Sequence, residues 1–220
     1  MAETFKIDRR MFLKGTAASL GALAFADLQA HARAVQAPAT WDATFDVVVV
    51  GTGAAGSIAA LCAHEQGASV LLLEKQPFSS WGGSTAISGG IFWVPNNRYM
   101  AEEGIRDSRE EALTYLRLTA QGQADDELVV AYIDHCNEMV DFLENQTRLE
   151  LQLYRRDTRP FPDYHPEWPG GKPGGRGIHA KPYKGFTFGR ALSEGLRDAV
   201  NERGIVTWYH SPVQQLIVDE

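Results

Sequence analysis

Apolar positions recur along the chain at two spacings. Residues 45–50 (Phe-Asp-Val-Val-Val-Val) form a near-continuous apolar run, the composition of a strand buried on both faces. Residues 57–66 read as a helix, and residues 69–73 as a second strand of the same kind. Farther on, Leu113, Leu116 and Leu118 supply apolar positions for a helix reaching about Gln121, with Ser108 and Glu111 spaced as a capping box. Asp125, Asp126 and Glu127 open another, whose Leu128, Val129, Tyr132, Ile133, Cys136, Val140 and Leu143 recur near 3.6 residues. Both helices read as core packing, with no catalytic residue expected in them. Residues 149–154 suggest a short strand. A helix over residues 191–203 is closed by Gly204, and strands follow at 205–209 and 213–218. The order predicts an α/β fold, a parallel sheet flanked by helices.

The turn between the first strand and helix is Gly51-Thr52-Gly53-Ala54-Ala55-Gly56, a G-x-G-x-x-G fingerprint in its full strand–turn–helix setting. Gly51 permits the tight turn, Gly53 lets a pyrophosphate approach the backbone, and Gly56 lets the helix pack closely on the sheet. The free amides at that helix start, among them those of Ala54 and Ala55, and the positive end of the helix dipole favour phosphate. Glu74 ends the second strand, 23 residues after Gly51, where a carboxylate accepts hydrogen bonds from a ribose diol and repels a 2′-phosphate. A dinucleotide other than NADP is expected.

The first 34 residues change the charge balance. Arg9 and Arg10 precede Phe12-Leu13-Lys14, an Ala/Gly-rich apolar run at 15–26 and small-residue cleavage patterns at 30–34. The run is too short to span a bilayer, which takes about 20 residues, and has the three regions of a signal peptide. The paired arginines resemble a twin-arginine signal, with Asp8 where that pattern usually has Ser, and imply periplasmic export of the folded protein through the twin-arginine machinery. Residues 1–34 hold five of the 21 Lys and Arg and three of the 28 Asp and Glu, so the remainder carries 16 basic against 25 acidic side chains. An acidic chain without a basic stripe excludes nucleic acid as the expected partner. Cys62 and Cys136 read as small buried hydrophobes in helices, and the six scattered His give no metal site.

Past Glu74 and Lys75 the chain turns glycine-rich again: Gly82-Gly83-Ser84-Thr85-Ala86-Ile87-Ser88-Gly89-Gly90, running into Ile91-Phe92-Trp93-Val94-Pro95-Asn96-Asn97. Small residues with free amides suit a loop lying against a flat ring and a pyrophosphate. A flavoprotein needs this second cradle; a bare dehydrogenase domain does not.

Together these motifs resemble the fumarate reductase/succinate dehydrogenase flavoprotein superfamily, and within it the 3-ketosteroid dehydrogenases, from about Phe45 to Glu220. The resemblance implies a Rossmann-like FAD-binding domain and FAD as cofactor. It also implies a small-molecule substrate, from whose ring carbon beside a ketone hydride passes to flavin N5. Succinate dehydrogenases carry a flavin-linked histidine where this chain has Ser84, which implies non-covalent FAD. Lys75, Gly83, Thr85, Ser88, Gly89 and Gly90 fall in the family's cofactor-binding segments, and the residue at Val213 there offers its backbone to the adenine. In the irregular loop 160–177, Tyr164 of Pro162-Asp163-Tyr164 matches a tyrosine presented to the steroid ring, hydrogen-bonded to a second tyrosine that takes the proton. His165 reads as a solvated neighbour. Two alternatives stay open: a periplasmic reductase of unsaturated acids of the fumarate or urocanate type, and a non-catalytic FAD- or NAD-binding protein. The electron acceptor is left open. The strand pairing is unfinished at Glu220, so the chain is expected to be the N-terminal part of a longer flavoprotein, neither stable nor active by itself.

Overall fold

The computed structural model describes residues 38–217, and every helix and strand in it lies within one compact unit, residues 43–214. The stretch read as a signal peptide, residues 1–34, lies outside the described residues. In chain order the elements are β1 (Val47–Val50), α1 (Ala54–Glu65), β2 (Val70–Leu73), α2 (Gly83–Ile87), β3 (Ile91–Trp93), α3 (Arg98–Glu102), α4 (Arg109–Ala120) and α5 (Asp126–Gln146). There follow β4 (Leu151–Leu153), the hairpin β5 (Arg155–Arg156) and β6 (Arg159–Pro160), β7 (Gly177–Ala180), α6 (Phe188–Glu202) and β8 (Val206–Trp208).

A parallel sheet in the order β1–β2–β8 carries the expected βαβ unit, with Val47 opposite Val70 and Val50 opposite Leu73. The long excursion from β2 to β8 returns through α6. Ala60 and Leu61 of α1, Leu72 of β2 and Leu192, Leu196 and Val200 of α6 share one core. Burial of each such leucine stabilises the fold by about 1.5–3 kcal/mol. The β1 run is not buried on both faces as its composition predicts. Val48 and Val50 are 51% and 58% exposed, and register puts them on the same face as Val206 and Trp208 of β8.

A second sheet, antiparallel in the order β3–β7–β4, was not expected from the sequence. Phe92, Ile178 and Leu153 share the face turned to the core, while Ile91, Gly177, His179 and Gln152 share the other. β7 lies at the end of the stretch read as irregular. Helix boundaries also move: α1 begins at Ala54 and α6 at Phe188, about a turn earlier than predicted. Residues 211–217 form no strand, so the predicted strand at 213–218 fails over its described part. Its alternation has no neighbouring strand to bond among the described residues. Cys62 is exposed, against expectation, while Cys136 is buried, and both are free thiols.

The caps follow the sequence more closely. Ser108 Oγ accepts from the Glu111 N–H and Asp125 Oδ1 from the Glu127 N–H, satisfying donors at the starts of α4 and α5. The reciprocal half of the capping box is diverted: the Ser108 N–H donates to Asp107 Oδ1, and Glu111 pairs with Lys172.

Candidate active site: a phosphate cradle beside an aromatic pocket

The turn after β1 is held by sterics at one position. A Cβ on Gly56 would lie 1.9 Å from the Gly51 carbonyl oxygen, so only glycine lets α1 close onto the turn. Gly51 has φ +95°, and no heavy atom lies within 4 Å of where its Cβ would stand, which leaves the outer side of the turn open. Gly53 is the N-cap of α1, has no capping side chain, and no acidic residue occupies the first turn. The amides of Ala54 and Ala55 therefore face the cradle without an intramolecular anion competing for them. Ala54 N–H donates to Thr85 Oγ1 at 3.0 Å, which ties the second glycine-rich segment to the first.

Thr52, silent in the fingerprint's variable position, joins the parts. Its N–H and Oγ1 both donate to Glu74 Oε2, at 3.0 and 2.7 Å, and its Oγ1 accepts from the Gly82 N–H at 3.3 Å. Glu74 Oε1 accepts from the Gln76 N–H at 2.8 Å. Burial alone would raise the Glu74 carboxyl, but the hydrogen bonds from Thr52 and Gln76 outweigh it and hold the group below the usual carboxylate range. The Ser211 N–H donates to the Glu74 carbonyl at 2.9 Å, which brings the segment containing Val213 to the end of β2. Within α2 and its exit, Gly83, Ser84, Ser88 and Gly89 are exposed, Thr85 half-buried and Gly90 buried. Ser88 Oγ accepts from the Gly90 N–H at 3.0 Å. Lys75 is exposed.

One residue beyond Gly90 the chain enters a different environment. Ile91 lines a cavity of about 610 Å³ on the outer face of the antiparallel sheet, floored by Ile91, Trp93, Gly177 and Tyr154. Tyr115, Leu116 and Thr119 of α4 and Leu128, Val129 and Tyr132 of α5 form a second wall; Phe161 to Tyr164 form the third. The two helices read as pure core packing thus supply six of the lining residues, a correction to the sequence reading. Their inner residues, Ala112, Leu113, Val129 and Ile133, do pack a small core. The Tyr115 ring stacks on Trp93 with centroids 5.9 Å apart, and Tyr132 Oη donates to the Trp93 carbonyl at 2.5 Å. Burial pushes the Tyr132 phenol up to about 12 and raises that of Tyr115. Both rings are neutral walls at physiological pH.

Tyr164 stands at the rim, 91% exposed, its hydroxyl without a partner among the described residues. The His165 side chain is 46% exposed, in keeping with a solvated neighbour, although its ring also stacks on Trp168 with centroids 3.9 Å apart; its backbone N–H donates to Tyr115 Oη at 3.1 Å. The structure therefore gathers Gly51, Gly53, Ala54, Ala55, Gly56, Glu74, Thr85 and the end of β8 into one cradle and places Tyr164 in a separate pocket. Among the described residues no group of three or more His, Cys, Asp or Glu is placed to hold a metal ion.

A glycine turn leading into a helix start whose N-cap has no capping side chain and whose first turn holds no acid, with a buried carboxylate at the second strand end, fits a dinucleotide cofactor. The FAD binding domain family matches residues 46–220, and the chain belongs to that family. FAD is accordingly the cofactor, and the cradle is the candidate place for it. A 3-oxosteroid 1-dehydrogenase of Mycobacterium tuberculosis strain H37Rv is 43% identical over 155 residues, which are 70% of this chain and 26% of that protein. The 3-ketosteroid delta1-dehydrogenase of Sterolibacterium denitrificans, solved with 1,4-androstadiene-3,17-dione, superposes with a TM-score of 0.66 at 28% identity. That likeness covers 76% of this chain and 40% of the other. A flavocytochrome c3 fumarate reductase superposes with a TM-score of 0.66 at 25% identity, covering all of this chain and 32% of its own. The chain spans about a quarter of the length of the curated relative.

Proposed function

We propose that this chain supplies the FAD cradle and one side of the substrate pocket of an exported dehydrogenase that oxidises a ring ketone, with 3-ketosteroids as the substrate class. The observation that carries this reading is the pocket lining. Aromatic and aliphatic groups dominate it, no Lys, Arg or His lines it, and its one charged residue is the buried acid Asp163. Such a wall suits a flat neutral hydrocarbon skeleton and offers nothing to balance a substrate carboxylate. The relatives named for 3-oxosteroid oxidation support the same class.

When bound, FAD supplies the acceptor for a hydride at its N5 position. The amides at the start of α1 would hold the pyrophosphate, and Glu74, with lone pairs left over from Thr52 and Gln76, would take the ribose hydroxyls. The apolar lining excludes water from the reacting carbons. Tyr164 presents its free hydroxyl at the pocket rim, where it would hydrogen-bond the group that removes a proton from the carbon next to the one losing hydride. The departing proton and hydride leave a C=C beside the ketone.

Rapid anaerobic mixing tests this directly. A 3-ketosteroid should bleach the flavin of the holoenzyme, and acrylate or fumarate should fail to reoxidise it. The reverse pattern would make the protein a reductase of unsaturated acids. Ser84 in place of the flavin-linked histidine supports a non-covalent cofactor, so acid precipitation should leave all flavin in the supernatant; flavin in the pellet contradicts it. Arg9 and Arg10 support twin-arginine export to the periplasm. Replacing both with Lys should strand flavin-loaded protein in the cytoplasm, and normal periplasmic yield would refute that route.

A further inference from the structure

We propose that Asp163 and Arg176 are positioning residues for Tyr164, and that a buried ion cluster sets where that tyrosine meets the substrate. The inference rests on Tyr164 being the substrate-side group. Tyr164 makes no hydrogen bond of its own through its hydroxyl among the described residues, so its place is decided by its neighbours. On one side, Asp163 is buried and fully engaged. Its Oδ1 accepts from Trp93 Nε1 at 2.7 Å, and its Oδ2 accepts from Arg176 Nη1 at 3.0 Å and from the Lys172 N–H at 2.9 Å. On the other side, His165 is tied to Tyr115 Oη. Both neighbours of Tyr164 are thus bonded to rings that line the pocket.

Arg176 links this loop to the rest of the wall. Its buried guanidinium forks onto Asp107, Nε to Oδ2 at 2.8 Å and Nη2 to Oδ1 at 2.6 Å, while Nη1 reaches Asp163. Asp107 also accepts the Asn96 and Ser108 N–H groups, each at 2.9 Å, so it is anchored just before α4. Burial would raise its carboxyl, but the Arg176 fork and the Asn96 N–H more than reverse this and keep it ionised. The same guanidinium lies 5.0 Å from the Trp93 ring centroid and 5.7 Å from that of Tyr115. Arg176 therefore links the Tyr164 loop, the start of α4 and two pocket rings, and Lys172 of the same loop adds ion pairs to Glu111 at 2.8 Å and Asp107 at 3.8 Å. The loop also lies on α4 itself, where a Cβ at Gly170 would stand 2.1 Å from the Glu111 carbonyl oxygen.

Stability alone is a poor reason for such a cluster. Two buried carboxylates, a buried guanidinium and the largely buried Lys172 ammonium lose hydration that their attraction barely repays, and well-packed apolar residues often serve as well. What the cluster provides is direction: planar, bidentate bonds fix a loop that would otherwise pivot.

A double-mutant cycle in the FAD-loaded holoenzyme separates positioning from simple folding. Asp163→Asn should lower kcat on a 3-ketosteroid by about 10–100-fold, the cost of a misplaced group, with flavin content and KM little changed. In a Tyr164→Phe background the same substitution should cost less than about twofold, because the hydroxyl it positions is already gone. Trp93→Phe removes the Nε1 donor to Asp163 together with part of a pocket ring, so KM should rise, but its kcat loss should again shrink to less than about twofold in the Tyr164→Phe background, which covers the case of a poorly folded Asp163→Asn. Multiplying effects, or wild-type kcat in Asp163→Asn and Trp93→Phe alike, would overturn the proposal. Full activity in Tyr164→Phe alone would show instead that the reading of Tyr164 is wrong, and the proposal would fall with it.

Discussion

Backbone amides and small residues from neighbouring turns make the cradle around Gly51, whereas ring side chains from five separate segments make the pocket beneath Tyr164. The cradle is local: Gly51 to Gly56 carry it, and Thr52 fastens Glu74 and Gly82 to it. The pocket is assembled at long range. Trp93 meets Asp163 across 70 residues of sequence, and Arg176 meets Asp107 across 69. In the proposed reading, conformation holds the cofactor and side-chain identity holds the substrate. Changes in the cradle should cost flavin, and changes in the pocket should cost turnover.

The largest effect is expected at Gly56. Gly56→Ala drives a Cβ into the Gly51 carbonyl, a backbone atom that cannot swing aside. Overpacking of this kind costs about 3 kcal/mol, and the purified protein should lack the visible absorbance of flavin. A flavin-replete Gly56→Ala protein would break the claim that turn geometry alone makes the cradle.

That same locality decided how much of the molecule was legible beforehand. The fingerprint, the strand pair and Glu74 are read from consecutive residues with a fixed spacing; β1 and β2 lie where they were expected, and α1 lies between them with its start about a turn earlier. Tyr115 and Tyr132 gave no such signal. At helical spacing an aromatic residue reads the same whether it faces a core or a cavity, and only the position of the second sheet turns these two into walls. β7 was hidden for a related reason. Residues 177–180 follow a run of proline and glycine that suggests irregular backbone, and their strand exists only because β3 and β4 flank it. The valines of β1 misled in the opposite direction, since a continuous apolar run cannot report that one face is left uncovered. Thr52 could have been noticed as a hydroxyl in the turn, within reach of the carboxylate that ends β2.

A smaller effect sharpens the cradle. Glu74→Gln removes a charged acceptor and should weaken FAD binding by about 1–2 kcal/mol, or roughly 5–30-fold in Kd. Thr52→Val keeps the shape and deletes the hydroxyl that serves both Glu74 and Gly82, so it should act in the same direction. In both variants KM for the ring ketone should stay at the wild-type value. An unchanged FAD titration in Glu74→Gln would mean that the carboxylate only braces the turn.

The smallest effect is a shared acid sensitivity, one group in each region. Glu74 and Asp107 are both held below their ordinary values of 4.5 and 3.8. A depressed folded-state pKa gives stability that is full above the unfolded value and disappears as pH falls through the folded one. The melting temperature should therefore fall on acidification below those ordinary values. Glu74→Gln and Asp107→Asn should each flatten that fall, although each starts from a lower stability. Parallel curves for variants and wild type would show that neither carboxylate is linked to folding.

The division between cradle and pocket is tested most directly by measuring bound flavin and kcat together in the Tyr164→Phe holoenzyme. The substitution keeps the ring at the rim and removes only the hydroxyl. Full flavin occupancy with kcat on a 3-ketosteroid lowered by about 10²–10⁴-fold, the scale of a lost acid–base contribution, is the expected result. Loss of FAD, or unchanged turnover, would contradict it.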